Sequence, residues 1–357
     1  MDFNQENIVL ILGNGFDLAV GRRTTYKNFY KSKYCPVDYP APLIKFLNGR
    51  WDENDLENVR WLDMENALQE YAQNPPQDDY YTKDEGEAVS RYYSVNVTIN
   101  PYFNLENIPD RGPFSETEKF LMIISKLIRE KRLQDKNKDF DKFLKNYGEY
   151  FSKKRLTRDR EALSKIKEGL SSYLKEEGEK ISRTSDKKAI SLLSYYLNYT
   201  NGNSSIYSFN YTSIDDLIEG EKGKNYNKKI HYMHGSLKDN HVIIGTKDGT
   251  YDKYDFLQKA FDKKYNPPSL LNDMQWAHRI DIYGHSLGDC DSQYFGYFFE
   301  SVIKGNLPTN KKKTINIYTY DDDSEILIKK NLNILTNNKL SYLYAQCNLH
   351  FIKSKEE

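Results

Sequence analysis

The sequence predicts an α/β protein, with a doubly wound, mostly parallel sheet of Rossmann type and an inserted helical module. Three observations predict it. A continuous apolar run at residues 8–12 leads straight into Gly13-Asn14-Gly15, as a strand buried on both faces does before a helix. After Asn201, short apolar runs end in polar or glycine clusters and alternate with helix-spaced stretches. Between these regions, from about residue 116 to 199, long charge-laced segments place apolar residues on one helical face.

The elements follow in chain order. Residues 56–72, LENVRWLDMENALQEYA, have helical spacing. Residues 73–115 are polar, carry Pro75, Pro76, Pro101, Pro109 and Pro113, and are expected to form loops with short elements. The segment EKFLMIISKLIREKRL puts Phe120, Ile123, Ile124, Leu127 and Ile128 on one face, and REALSKIKEGLSSYLKEE does the same with Leu163, Ile166 and Leu170. These helices belong to the expected insertion, residues 72–199, between the halves 1–71 and 200–357 of the core; that they instead cover the sheet as part of one domain stays open. The runs SSIYSFNYT, KIHYMHGS, HVIIG, RIDIYGHS, TINIYTY and NLHFIK are six further strands, which with residues 8–12 make seven. Helices are expected over 292–304 and 324–335.

Composition bounds the function. The 357 residues suffice for two ordinary domains or one elaborated domain. With 52 basic and 52 acidic residues, charge gives no reason to expect nucleic acid or an anionic membrane as a partner. Cys35, Cys290 and Cys347 are too few and too far apart for a disulfide framework or a CxxC metal site, which suits a reducing cytoplasm. The amino-terminal apolar stretch is too short for a signal peptide or a membrane span.

Two glycine motifs carry the chemistry. Gly13-Asn14-Gly15 lies where backbone N–H groups at a helix start can hold a pyrophosphate. The third glycine of G-x-G-x-x-G would fall at Leu18, and Gly21 follows instead, so a tight steric turn is the competing explanation. Gly284-His285-Ser286-Leu287-Gly288 fits G-x-S-x-G. It is either a nucleophile elbow built on Ser286 or a nucleotide-contacting loop at a strand's carboxyl end.

The segments ILGNGFDLAVGRRTTYKNF, WLDMENALQEY and IYGHSLGDCDSQYFGYFFE resemble the signatures of the bacteriophage abortive infection AbiH family. Arg22-Arg23 departs from them, since that family usually has an apolar residue and proline there. A more distant resemblance is to sirtuin-like NAD-consuming domains. It rests on four segments in the same order: Gly13-Asn14-Gly15-Phe16-Asp17 with Gly21, then Ser208 to Thr212, then His234-Gly235-Ser236, then Gly284 to Leu287. Asp17 and Thr212 depart from the sirtuin pattern, and no CxxC zinc pair is present, which disfavours a deacylase.

These resemblances imply a cytoplasmic bacterial antiphage protein with a sirtuin-like fold that binds, and hydrolyses, NAD or a related nucleotide. They imply a phage-derived trigger and a homo-oligomer as partners, with no metal. Hydrolysis at the N-glycosidic bond passes through a transition state resembling an oxocarbenium ion. It needs a polar group to orient water or ribose hydroxyls, and a base with a pKa near neutral. Asn210 suits the first role and His234 the second. On a helical wheel Trp61, Met64, Leu68 and Tyr71 form an apolar face; Glu65 borders it as a catalytic acid, while Asp63 points away as a solvated residue. Gly13, Asn14, Gly15, Phe16, Asp17, Gly21, Gly284, His285, Ser286 and Asp291 are the expected nucleotide contacts. Three rivals remain. Ser286, one of Asp321 to Asp323, and His350 keep the chain order of an α/β-hydrolase triad. His231, His234, Asp281 and His285 are candidate metal ligands of a nuclease. A nucleotide sensor without catalysis would use the same glycine loops.

Overall fold

The structure, a computed structural model of the chain, describes residues 6–51, 63–75, 137–178, 180, 186–199, 203–214, 217, 230–308 and 312–354. The helix expected over 118–133, Trp61, and the loops expected over 76–115 lie outside the described residues. The chain divides into two compact units, residues 1–73 with 161–357, and residues 74–160. The described part of the second unit is helical, residues 137–160. The first unit carries the sheet.

Six strands form that sheet: β1 (Ile8–Leu12), β2 (Ser204–Ser208), β3 (Ile230–Tyr232), β4 (Arg279–Tyr283), β5 (Thr314–Thr319) and β6 (Asn348–Lys353). All neighbouring pairs are parallel, in the order β3-β2-β1-β4-β5-β6. That is the strand order of a doubly wound sheet, in which the order reverses between the two central strands and ligands bind at the carboxyl edge of that switch point. Here the switch point lies between β1 and β4. The sequence predicts seven strands. The run Val242–Ile244 is buried but takes no place in the sheet; the Ile243 N–H donates to the His234 carbonyl at 2.9 Å, making the run a buttress of the loop after β3. A short β-branched run reads alike as a buried strand or as a core-lining loop.

Alternation along the strands feeds two cores. Val9, Ile11, Ile280, Ile282, Ile315 and Ile317 pack with the helices α7 (Leu270–Trp276), α8 (Ser292–Lys304), α9 (Asp322–Leu335) and α10 (Leu340–Gln346). Ile8, Leu10 and Leu12 pack on the opposite face with α1 (Asn14–Ala19) and α6 (Lys187–Leu197). The helix α8 shows the reason most plainly: Phe295, Phe298, Phe299 and Val302 recur at i, i+3, i+4 and i+7, and all are buried. Helix α6 covers β1 and β2, so residues 187–197 belong to the layer over the sheet.

Among the described residues the remaining α-helices are α2 (Tyr26–Tyr30), α3 (Pro42–Arg50), α4 (Met64–Gln73) and α5 (Asn137–Tyr173), the last continued by a π turn, residues 174–178. Among the described residues no helix is long and apolar enough to cross a membrane.

The two central strands are locked together by glycine. The Gly13 N–H donates to the Tyr283 carbonyl at 3.0 Å and the Gly15 N–H to the Gly284 carbonyl at 2.9 Å. A Cβ on Gly13 would lie 2.6 Å from the Gly284 oxygen, and one on Gly15 2.6 Å from the Gly284 Cα. Gly284 itself has φ +64, and its Cβ would meet Gly15 at 2.4 Å. The connections leaving β1 and β4 therefore cross backbone to backbone.

Gly284→Ala should accordingly lower unfolding stability by about 2–4 kcal/mol, combining overpacking with left-handed strain. Gly49→Ala, at an exposed helical position with open space around its Cβ, should instead be neutral or stabilising by up to ~1 kcal/mol. Urea melts of the two variants check both signs, and equal midpoints would contradict the interlock.

Candidate functional site

Strand register assembles the site. Leu12 pairs with Ser208 and with Tyr283, and Ser208 pairs with Tyr232, so these four residues form one row at the carboxyl edge. Two residues beyond that row stand Asn14, Asn210, His234 and His285. All four line one cleft of about 160 Å³. Helix α4 and the loop 289–291 close its side. Three ties hold them together: Gln69 Nε2 donates to Asp289 Oδ2 (3.0 Å), the Cys290 thiol to Asn66 Oδ1 (3.1 Å), and Lys259 joins Glu65 to Asp291.

Lys259 is the electrostatic centre. Its side chain is 0% exposed, and Nζ lies 2.8 Å from Glu65 Oε2 and 2.8 Å from Asp291 Oδ1. A buried ammonium is tolerable only when paired. Burial alone would lower its pKa, but Asp291 and Glu65 outweigh burial and raise it well above the ordinary lysine value. Burial would raise Asp291; the Lys259 ammonium, with His234, outweighs it and holds Asp291 well below the ordinary carboxylate range. Glu65 is pushed up to about 8, first by burial and further by Asp291, with Lys259 offsetting only part.

His234 is 3% exposed. Its Nε2 lies 3.3 Å from Asp291 Oδ1, in an alignment that makes no hydrogen bond, so this buried nitrogen has no hydrogen-bond partner. Burial, and then the Lys259 charge, lower its pKa to about 4. The sequence reading of a base near neutral is corrected: the imidazole is neutral across the physiological range, because charging a buried ring, and one beside an ammonium, costs too much. His285 Nδ1 accepts the Leu287 N–H at 2.9 Å, which puts the ring proton on Nε2, 3.3 Å from Asp291 Oδ2. The Phe209 ring stands between the two imidazoles, with centroids 5.3 Å and 4.3 Å away. The Asn210 amide donates to the Gly13 carbonyl at 3.0 Å, which fixes its orientation.

On the β1 side, Asp17 accepts from Thr212 Oγ1 (2.7 Å) and Arg22 Nη1 (3.3 Å). Burial raises the Asp17 pKa against the Arg22 charge. Arg22 is itself buried and donates to the Ser213 carbonyl at 2.6 Å, so this departure from the AbiH signature neutralises Asp17.

Of the residues singled out in the sequence, Gly13, Asn14, Asp17, Glu65, Asn210, His234, Gly284, His285, Ser286 and Asp291 line the cleft. Gly15, Phe16 and Gly21 do not. Gly15 packs on Gly284, Phe16 is in the core, and Gly21, at φ +86, ends the first helix. The pyrophosphate cradle is also corrected: the Gly13 and Gly15 N–H groups are spent on β4 and its loop. Asp63, read as solvated, lines the cleft, and its carboxylate accepts the Asn66 N–H at 2.9 Å to cap α4. Lys259 gave no periodic or motif signal, and Tyr26, Tyr211 and Thr212, which line the cleft, lie inside the quoted motifs without having been named as contacts. The esterase triad does not assemble: Asp321 caps α9, and His350 pairs with Asn316 in mid-strand, away from Ser286. The four nuclease candidates do not gather either, since Asp281 lies in mid-strand paired with Arg279, and His231 stacks on Tyr207.

A family model described as bacteriophage abortive infection AbiH matches residues 9–318. No curated protein and no solved structure matches the chain.

Lys259→Met should destabilise the protein by about 3–5 kcal/mol at pH 7, because the partly buried Asp291 carboxylate is left without its ammonium. Asp291 is held below its ordinary value of 3.8, so in the wild type this contribution disappears only as pH falls through that region. The gap between wild type and variant in urea melts should therefore close in strong acid. A gap that is absent at pH 7, or unchanged in acid, contradicts the assignment.

Proposed function

The chain belongs to the bacteriophage abortive infection AbiH family, and from that premise of a phage-defence protein we propose that its cleft binds NAD or a related nucleotide and hydrolyses an N-glycosidic bond. The observation that carries the reading is the convergence of Asn210, His234, His285, Glu65 and Asp291 on the carboxyl edge of the switch point. The four segments that resemble sirtuin-like domains supply most of that edge, which supports a sirtuin-like assignment for the fold.

Among the described residues the lining carries Asp17, Asp63, Glu65, Asp289 and Asp291 and no lysine or arginine. A diphosphate is poorly matched to such walls, so the ligand enters with its sugar and base, leaving its phosphates toward solvent. As the C1′–N bond breaks, positive charge grows on the sugar. Asp291, ionised at all physiological pH, stabilises that charge from a site that excludes much of the water. The neutral His234 imidazole accepts a hydrogen bond from the attacking water. Asn210, oriented by the Gly13 carbonyl, positions that water or the 2′ and 3′ hydroxyls. Ser286, which is exposed and has no triad, contacts the nucleotide and is not acylated.

Incubation with NAD tests this directly. Nicotinamide should be released by the wild type and nearly lost in Asn210→Ala and in His234→Ala, with the double variant little worse than either, because groups acting as a unit are not additive. The acid limb of the pH profile should lie near 4, since His234 must stay neutral. Absence of both NAD cleavage and NAD binding would overturn the reading, and a limb near 6.5 would remove His234 from it.

A further inference from the structure

We infer that Glu65 is the proton donor of the cleft, kept as a neutral carboxylic acid at physiological pH, and that the preferred substrate is a purine nucleotide, whose base departs only when protonated. This rests on the N-glycoside reading above and narrows its substrate.

The geometry separates two carboxylates that share one ammonium. Lys259 Nζ is 2.8 Å from both Glu65 Oε2 and Asp291 Oδ1. Asp291 has further company: the His285 N–H at 3.3 Å on Oδ2 and the His234 ring at 3.3 Å on Oδ1. Glu65 has none; its second oxygen, Oε1, is buried and has no partner, although the residue is only 8% exposed and lines the cleft. The other titratable groups facing Glu65 are the Asp63 carboxylate, the Tyr26 and Tyr211 phenols and the Cys290 thiol. Among the described residues Lys259 is thus the single cation in this set, against three carboxylates. The proton that such a cluster retains goes to the least compensated oxygen, Glu65 Oε1. Burial, with Asp291 adding, pushes the Glu65 pKa up to about 8, in the same direction. Among the described residues no hydrogen-bond partner reaches Oε1, and a ligand ring nitrogen completes it.

The chemistry then selects the substrate. Nicotinamide leaves a cationic pyridinium glycoside as a neutral molecule and needs no proton. A purine would leave as an anion unless a ring nitrogen is protonated. In the step, the C1′–N bond breaks with its electron pair passing to the base, and the Glu65 Oε1 proton moves to a ring nitrogen. Water adds its oxygen to C1′ and returns one proton to the Glu65 carboxylate. The products are a free sugar hydroxyl and the neutral base. Two carboxylates whose environments push their pKa values apart divide in this way into a proton donor and a permanent anion.

The test uses AMP and NAD side by side, with the wild type and Glu65→Gln, following adenine and nicotinamide release. Glu65→Gln keeps the shape and neutrality of the side chain and lacks only the transferable proton. Adenine release from AMP should fall by about 10²–10⁴-fold, the usual contribution of a general acid. Nicotinamide release from NAD should fall at least ~10-fold less than adenine release does, since no proton is transferred to the base in that step. Infrared spectroscopy gives a readout independent of turnover: a protonated-carboxyl stretch in the wild type at pH 7, lost with a midpoint near 8 and absent in Glu65→Gln. Equal losses on both substrates, or no such band at pH 7, would overturn the inference. Nicotinamide release without adenine release would overturn it alone. Release from neither would overturn the N-glycoside reading and this inference with it.

Discussion

A single buried ammonium sets the terms for the candidate site. Lys259 has no route to solvent, so the fold must bring carboxylates to it, and those come from α4 and from the loop after β4. The need for compensation explains why Glu65 is buried and why 289–291 turns inward after β4. His234, beside the same ammonium, stays neutral first because it is buried and then because of that charge. Burial leads the shifts of Glu65 and His234, with the Lys259 ammonium opposing the first and reinforcing the second, while Lys259 with His234 holds Asp291 ionised against burial.

The glycine crossing acts at the level of backbone. Adjacent parallel strands are about 4.8 Å apart, so connections leaving β1 and β4 at the switch point can cross only where no Cβ intervenes. Gly13, Gly15 and Gly284 meet that condition for one another. The crossing carries Asn14 and His285 to the rim of the cleft, and the Gly13 carbonyl orients Asn210. What looked in sequence like a loop open to phosphate is closed by protein, and the cleft wall is supplied by the residues just beyond it. The cleft is accordingly defined by side chains, acidic and imidazole, more than by backbone N–H groups.

Much of the fold was legible in the sequence, and for stated reasons. The apolar runs at 8–12, 204–208, 279–283 and 314–319 are long enough to be buried on both faces, and α8 and α9 follow at helical spacing. The run Val242–Ile244 was misleading because periodicity reports burial, not hydrogen-bond partners. Residues that follow a strand end, such as Asn210 and His234, were identifiable because a parallel sheet sends every carboxyl end to one edge.

The sequence by itself thus determined the α/β class, the parallel sheet, the edge that carries the cleft and the resemblance to the AbiH family. Those features depend on local periodicity and on short motifs. The tertiary structure alone decided that Lys259 joins Glu65 and Asp291, that Arg22 neutralises Asp17, and that Gly13 and Gly15 serve packing. It also decided that His234 titrates near 4, away from neutrality. The physical reason is common to all four. Charge compensation, desolvation and close backbone approach depend on residues 5 to 271 positions apart in the chain, and no local pattern records which of them will meet.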